Sequence, residues 1–331
     1  MAILSAIHGI GSTVLSNLFI TLPMPVAMPD LPKQTIIVTG ANTGLGLETS
    51  RHLLRLGVGK LIMGVRNLDK GKKARTELLE STRRLPDSVE VWHLDMEDYD
   101  SVKAFAHRAT TALDRLDALL ANAGILAGEH KLVNGVERTI AVNVVSTYLL
   151  FFLVLPTLRQ SPSTGRFSVP NSALHYLADV KNLIPTPGCS IFSRLNDPTV
   201  DDDMDMRYNI SKLLVLYVTR ELASRLKASG EKSTVIVNSP NPSYCKSGLL
   251  RETSSTAPPD FMARTPEMGS RALVHGLLAG PETNGQYLTN CHVQAPACHV
   301  ANALGAKIQE AFFQELREEL ESISPGICAN L

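Results

Sequence analysis

Residues 35–46 read TIIVTGANTGLG: a short apolar run, a turn carrying Gly40, Gly44 and Gly46, and then, from residue 45 to 56, a helical pattern. Glycines placed there let the backbone turn tightly and bring its N–H groups close to a pyrophosphate. The helix that follows offers its N-terminus to the same negative charge. The spacing Gly-x-x-x-Gly-x-Gly differs from the Gly-x-Gly-x-x-Gly of the commonest dinucleotide fingerprint. Its place between a strand and a helix, at the start of an alternating pattern, is what points to nucleotide binding.

Outward from this turn, apolar runs alternate with helical stretches. Strands are expected at 35–40, 60–66, 89–95, 118–124, 166–172, 234–240 and 286–290. Helices are expected at 45–56, 70–83, 99–113, 137–158, 208–228, 266–278 and 303–322. Such alternation predicts an α/β Rossmann-type doubly wound parallel sheet of about seven strands with helices on both faces. No linker or internal repeat follows residue 34, so residues 34–331 form one domain behind an apolar segment, 1–33. In the last helix Ile308, Phe312, Leu316 and Leu320 recur every four residues and make a core stripe. The least regular segment, 173–207, contains the acidic run DPTVDDDMD and reads as a substrate-pocket wall or lid, with a surface excursion as the alternative.

Lys plus Arg equals Asp plus Glu at 32 each, so no net charge draws the chain to nucleic acid. The five cysteines are odd in number and scattered late in the chain, which fits a reducing, cytoplasmic setting rather than a disulfide framework. CHVQAPACH at 291–299 gathers Cys291, His292, Cys298 and His299, but the spacing matches no common zinc pattern, and no metal is expected. Residues 1–28 carry no Asp, Glu, Lys or Arg, yet His8, Asn17, two glycines and several hydroxyls dilute them, and the basic start of a secretory signal is missing. A helix packed on the body, a membrane-surface contact, and a true span or signal all remain open for this segment.

At the end of the second strand, where an acid would meet the ribose hydroxyls of NAD, stands Arg66, suited to a 2′-phosphate and hence to NADP(H); a solvent-facing arginine is the alternative. Asp95 ends the third strand, placed to accept from the adenine amino group. Asn122 and Gly124 in ANAG let the chain pass close to the cofactor. In MRYNISKLL, 206–214, Tyr208 and Lys212 project from one helical face, and a neighbouring ammonium favours the phenolate. The alternative has Tyr208 packed and Lys212 reaching to water.

TGANTGLG, ANAG, Asn143 in VNVVST, Ser172 in PNSALH, YNISK and NPSYCKS together resemble the short-chain dehydrogenase/reductase family, in the branch that looks like retinol dehydrogenases and fungal secondary-metabolism reductases. The resemblance runs from about residue 34 to the end and includes the closing ELREELESISPGI. It implies hydride transfer between a nicotinamide and a carbonyl or alcohol carbon of a hydrophobic small molecule. Tyr208 would be the proton donor or acceptor, Lys212 would lower its pKa and hold the nicotinamide ribose, Ser172 would hydrogen-bond the substrate oxygen, and Asn143 would anchor a water serving Lys212. Cofactor contacts extend by the same resemblance to Asn42, Thr43, Leu45, Ala123, Pro242 and Ser247. It also allows a homodimer paired through 137–158 and 208–228. Two departures stand out: Pro170 and Asn171 precede Ser172, and Ser243 occupies a position where the family usually has glycine. A membrane-associated retinol or lipid dehydrogenase and a non-catalytic dinucleotide-binding regulator are the competing expectations.

Overall fold

A computed structural model describes residues 2–200, 203–230, 235–246, 248–249 and 259–331. Its parallel strands are β1 (Thr35–Thr39), β2 (Lys60–Val65), β3 (Val89–His93), β4 (Ala118–Leu120), β5 (Arg166–Ser168), β6 (Ile236–Asn241) and β7 (Tyr287–Thr289), and a short antiparallel edge strand, β8 (His292–Val293), follows. They form an eight-stranded sheet in the order β8-β7-β6-β5-β4-β1-β2-β3. The fold is therefore the doubly wound α/β type, one edge strand richer than the alternation predicts. Strands such as β1, TIIVT, are buried at every position, as expected of a parallel sheet covered on both faces. β4 and β5 stop short of residues 124 and 172, and the ladder of β5 ends two residues before Pro170, which has no N–H to give it.

The helices are α1 (Ala2–Phe19), α2 (Gly44–Arg55), α3 (Leu68–Thr82), α4 (Tyr99–Ala112), α5 (Arg138–Arg159), α6 (Met204–Ala228), α7 (Pro266–Leu278) and α8 (Ala303–Ile323). Side-chain caps open most of them: Asn67 for α3, Asp98 for α4, Asp203 for α6, Thr265 for α7 and Asn302 for α8. Asp203 starts α6 four residues earlier than the periodicity suggests, by accepting from the Met206 N–H at 2.9 Å. Tyr208 therefore lies in the second turn. α5 is α-helical at both ends but makes a π turn over Ala141–Ser146, the segment that holds Asn143.

α5 is long and apolar enough to cross a bilayer, yet 89% of that window is buried in the protein. Its Phe151 lies 4.5 Å from Phe167 of β5, centroid to centroid. Ile308, Phe312, Leu316 and Leu320 of α8 are fully buried, a core stripe in which each side chain contributes roughly 1.5–3 kcal/mol. α8 packs on α6, and the C-terminal tail reaches α5. Gln309 bonds Glu221 of α6, and Asn330 donates to the Phe152 carbonyl of α5 at 3.0 Å. The irregular segment 173–207 contains short helical turns, and Leu183, Ile191 and Leu195 send their side chains into the core. Glu315 of α8 caps its Ile191–Asn196 turn.

Candidate active site

The strand order reverses direction between β1 and β4, which opens a crevice beyond the carboxyl ends of the strands. The glycine turn lies there. Gly40 has φ +63°, in the left-handed region, and a β-carbon on Gly46 would collide with the Gly40 carbonyl oxygen. Thr43, the N-cap of α2, makes no side-chain cap bond, so the helix presents its first N–H groups bare to the crevice. This close-fitting cradle and uncapped helix end suit a dinucleotide pyrophosphate. Leu45 reaches toward Gly269 of α7, and Asn42 lies in the turn between β1 and α2.

From the turn, hydrogen bonds lead to the catalytic candidates. Asn122 donates to the Thr39 carbonyl at 3.0 Å, and the Ala123 N–H donates to the Thr39 hydroxyl at 2.9 Å. Gly124 faces Asn143, whose amide both accepts from the Ile125 N–H and donates to its carbonyl, each at 2.9 Å. The same amide donates to the Ser211 hydroxyl at 3.0 Å, and Ser211 in turn donates to the Tyr208 carbonyl at 2.7 Å. The π turn in α5 therefore holds Asn143 between the β4 loop and the Tyr208–Lys212 turn.

Tyr208 and Lys212 share one face of α6, with the Lys212 Nζ 5.5 Å from the ring centroid. Ser172, four residues beyond the end of β5, lies within hydrogen-bonding reach of the Tyr208 phenol. Lys212 Nζ donates to the Pro170 carbonyl at 2.9 Å, two residues from Ser172. Burial pushes the phenol up and the ammonium down, to about 8, while the Ser172 hydrogen bond pulls the phenol the other way. The expectation that the ammonium lowers the phenol is therefore corrected: loss of water raises the phenol, and Ser172 is what draws it down.

Asn171, the departure just before Ser172, has a use of its own: its amide donates to the Ser239 hydroxyl at 2.9 Å and to the Lys212 carbonyl at 3.2 Å. His175 is a residue the sequence reading missed. The Ala297 N–H donates to its Nε2 at 3.2 Å, so its proton sits on Nδ1 and is donated to the Ser172 carbonyl at 2.7 Å. Burial lowers this imidazole to about 4 and keeps it neutral. The CHVQAPACH stretch thereby serves as a strap: His299 Nε2 bonds the His175 carbonyl at 3.1 Å, and Cys291 packs with Leu22 and Ala272. Among the described residues no group of three potential ligands is placed to hold a metal.

On the far side of the crevice, Arg66 follows β2 and extends its largely exposed guanidinium to within 3.4 Å of Glu97. Asp95, beyond β3, accepts from the Glu97 N–H at 3.0 Å. Pro242 follows β6 and is buried, and Ser247 lies outside the described residues.

This constellation, a glycine turn at the switch point with hydroxyl, phenol and ammonium on one wall, belongs to a nicotinamide-dependent oxidoreductase. The family model described as short chain dehydrogenase matches residues 34–167. The short chain dehydrogenase/reductase dmxR8 of Cryptosporiopsis sp. (strain 8999) is 38% identical over 95% of this chain and 98% of its own length. The short chain dehydrogenase atnD of Emericella nidulans is 41% identical over 84% of this chain and 90% of its own. Salutaridine reductase from Papaver somniferum has the same fold, with TM-score 0.60 and 18% identity over 77% of this chain and 99% of that one. The chain belongs to the short-chain dehydrogenase/reductase family, and it is an oxidoreductase.

Proposed function

We propose that the protein interconverts a ketone and a secondary alcohol on a hydrophobic small molecule of fungal secondary metabolism, with a preference for NADP(H). The observation that carries this reading is Tyr208 and Lys212 on one helical face, with the Lys212 Nζ 5.5 Å from the phenol ring and Ser172 within hydrogen-bonding reach of it. The full-length likeness to fungal family members supports the setting. Preference for the phosphorylated cofactor rests on Arg66, which has no acid beside it on its own strand end and, among the described residues, only Glu97 within ion-pair reach, at 3.4 Å. A family structure from Escherichia coli CFT073, of TM-score 0.58 and 20% identity over 78% of this chain and 96% of that one, holds NADPH.

When bound, the nicotinamide supplies or accepts the hydride. Ser172 orients the substrate oxygen and donates to the negative charge that grows on it. Tyr208 gives its phenolic proton to that oxygen in reduction and takes one back in oxidation. Because burial holds the phenol protonated at working pH, its resting form is the proton donor. Lys212 has three donors and uses one on Pro170, leaving the others for ribose hydroxyls and for the phenolate as it forms. Gly40, Asn42, Thr43, Gly44, Leu45 and Gly46 form the pyrophosphate cradle, and Asn122, Ala123, Gly124 and Pro242 form the adjoining crevice wall.

The test incubates the purified chain and NADPH with metabolite extract and looks by mass spectrometry for a compound gaining two hydrogens. Tyr208→Phe should lower its turnover by about 10²–10⁴-fold while leaving the NADPH Kd within about threefold. Equal turnover by the phenylalanine variant would refute the assignment.

A further inference from the structure

The charge-free N-terminal helix lies across the candidate active site. Midway along it Gly9 rests on Tyr176, in the turn that begins at Ser172, so closely that a β-carbon would collide with the ring. At its C-terminal end α1 meets the segment that leaves β6. Asn17 Nδ2 donates to the Tyr244 carbonyl at 3.0 Å, on the outgoing stem, and to the Met262 carbonyl at 2.9 Å, on the returning one. Its Oδ1 accepts from the Ser243 hydroxyl at 2.6 Å. The Arg264 guanidinium adds a bond to the Ser16 carbonyl at 3.2 Å. Both stems lie at the carboxyl edge of the sheet beside Ser172, since the neighbouring Asn171 N–H bonds Pro240 of β6 at 2.8 Å.

These contacts match an asparagine in particular. Its two amide hydrogens meet two carbonyls and its oxygen meets a hydroxyl, a set that Asp, Leu or Ser cannot reproduce. Ser243 has φ +69°, a conformation that glycine adopts freely and serine does not. The serine that replaces the family's usual glycine is strained there, and its hydroxyl is what Asn17 receives. The helix hydroxyls make no competing demand: Ser12 and Thr13 bond the Gly9 carbonyl, and Ser16 bonds that of Thr13.

We propose that α1 is the substrate-side wall of the catalytic crevice and that Asn17 is the positioning residue that holds it, by clipping together the two stems of the segment after β6. The proposal rests on the ketone–alcohol reading above and adds the element that selects for substrate bulk. Large ketones lean on this wall and small ones do not.

The test uses full-length protein carrying Asn17→Asp, which keeps the acceptor and removes both donors, and Ser243→Ala. Two probes are reduced with NADPH: phenanthrenequinone as the large ketone and butanedione as the small one. Loss of two hydrogen bonds corresponds to about a tenfold effect. Asn17→Asp should raise KM for phenanthrenequinone about tenfold, with kcat and the butanedione kcat/KM within about twofold of wild type. Amide hydrogen exchange at residues 243–246 and 261–264 should quicken by a similar factor while β1 and α2 stay protected. A KM ratio and an exchange pattern both unchanged would overturn the proposal, as would parallel losses on the two probes. If wild type reduces neither probe, the ketone reading is what fails. Exchange at the two stems then decides by itself whether Asn17 holds the wall.

Discussion

Lys212 makes the folded chain less stable than an apolar residue would in its place. Its side chain is almost fully enclosed, it has one hydrogen bond, to Pro170, and burial lowers it from 10.5 to about 8. That difference corresponds to about 3 kcal/mol against the charged form. The unfolded chain therefore holds this proton more tightly than the folded chain, and stability rises with pH wherever only the unfolded chain is still protonated. Below about pH 8 the full penalty applies, and between about pH 8 and 10.5 it is relieved. Lys212→Met fills the same channel without charge and gives up one hydrogen bond worth about 1 kcal/mol. In nucleotide-free protein the variant should be about 2 kcal/mol more stable than wild type at pH 7. It should become the less stable protein above pH 10.5, as the lysine neutralises. Urea unfolding of the two proteins from pH 6 to 11 measures this difference, in which the buried tyrosines and cysteines common to both cancel. A difference that does not vary with pH, or a methionine variant less stable at pH 7, would refute the premise that Lys212 is buried charged and poorly compensated.

Gly46→Ala should weaken NADPH binding by at least about 100-fold, because its β-carbon and the Gly40 carbonyl cannot both keep their places; circular dichroism would show the fold kept, and fluorescence titration with unchanged affinity would contradict the cradle. Arg66→Ala should raise the NADPH Kd by roughly 10–100-fold and leave that of NADH within about threefold, since only the former loses a charge-assisted contact. Equal shifts for both cofactors in calorimetry would remove Arg66 from cofactor choice.

The sheet was readable because parallel strands buried on both faces leave unbroken apolar runs such as TIIVT and KLIMGV. The glycine turn was readable because backbone geometry, more than packing, dictates it. Other features left no such trace. The start of α6 hid inside DDDMD, where an N-cap and a solvated acidic loop look alike until Asp203 is seen to accept from Met206. The π turn at Asn143 covers six residues, too few for apolar periodicity to separate it from an α-helix. His175 belongs to no motif, and its use depends on Ala297, over a hundred residues away. Asn17 looked like a polar residue diluting an apolar segment, and its three partners lie more than two hundred residues further along.

Three departures from local rules lie around the crevice. A π turn interrupts α5 at Asn143, Ser243 takes a backbone angle suited to glycine, and Lys212 is buried without a carboxylate within ion-pair reach among the described residues. Each costs stability by itself, and strain of this kind persists only where surrounding structure enforces it. The enforcement is visible: Asn143 is fixed by the Ile125 backbone, Ser243 by Asn17, and the Lys212 turn by Asn171 and Ser211. All three positions flank the crevice at the carboxyl edge of β4, β5 and β6, and the fixing residues come from α1, the β4 loop, α6 and the loop before Ser172. A scaffold selected for stability alone has no need of these three compromises around one phenol. A site that must keep Tyr208 protonated, hydrogen-bonded to Ser172 and beside a cation does.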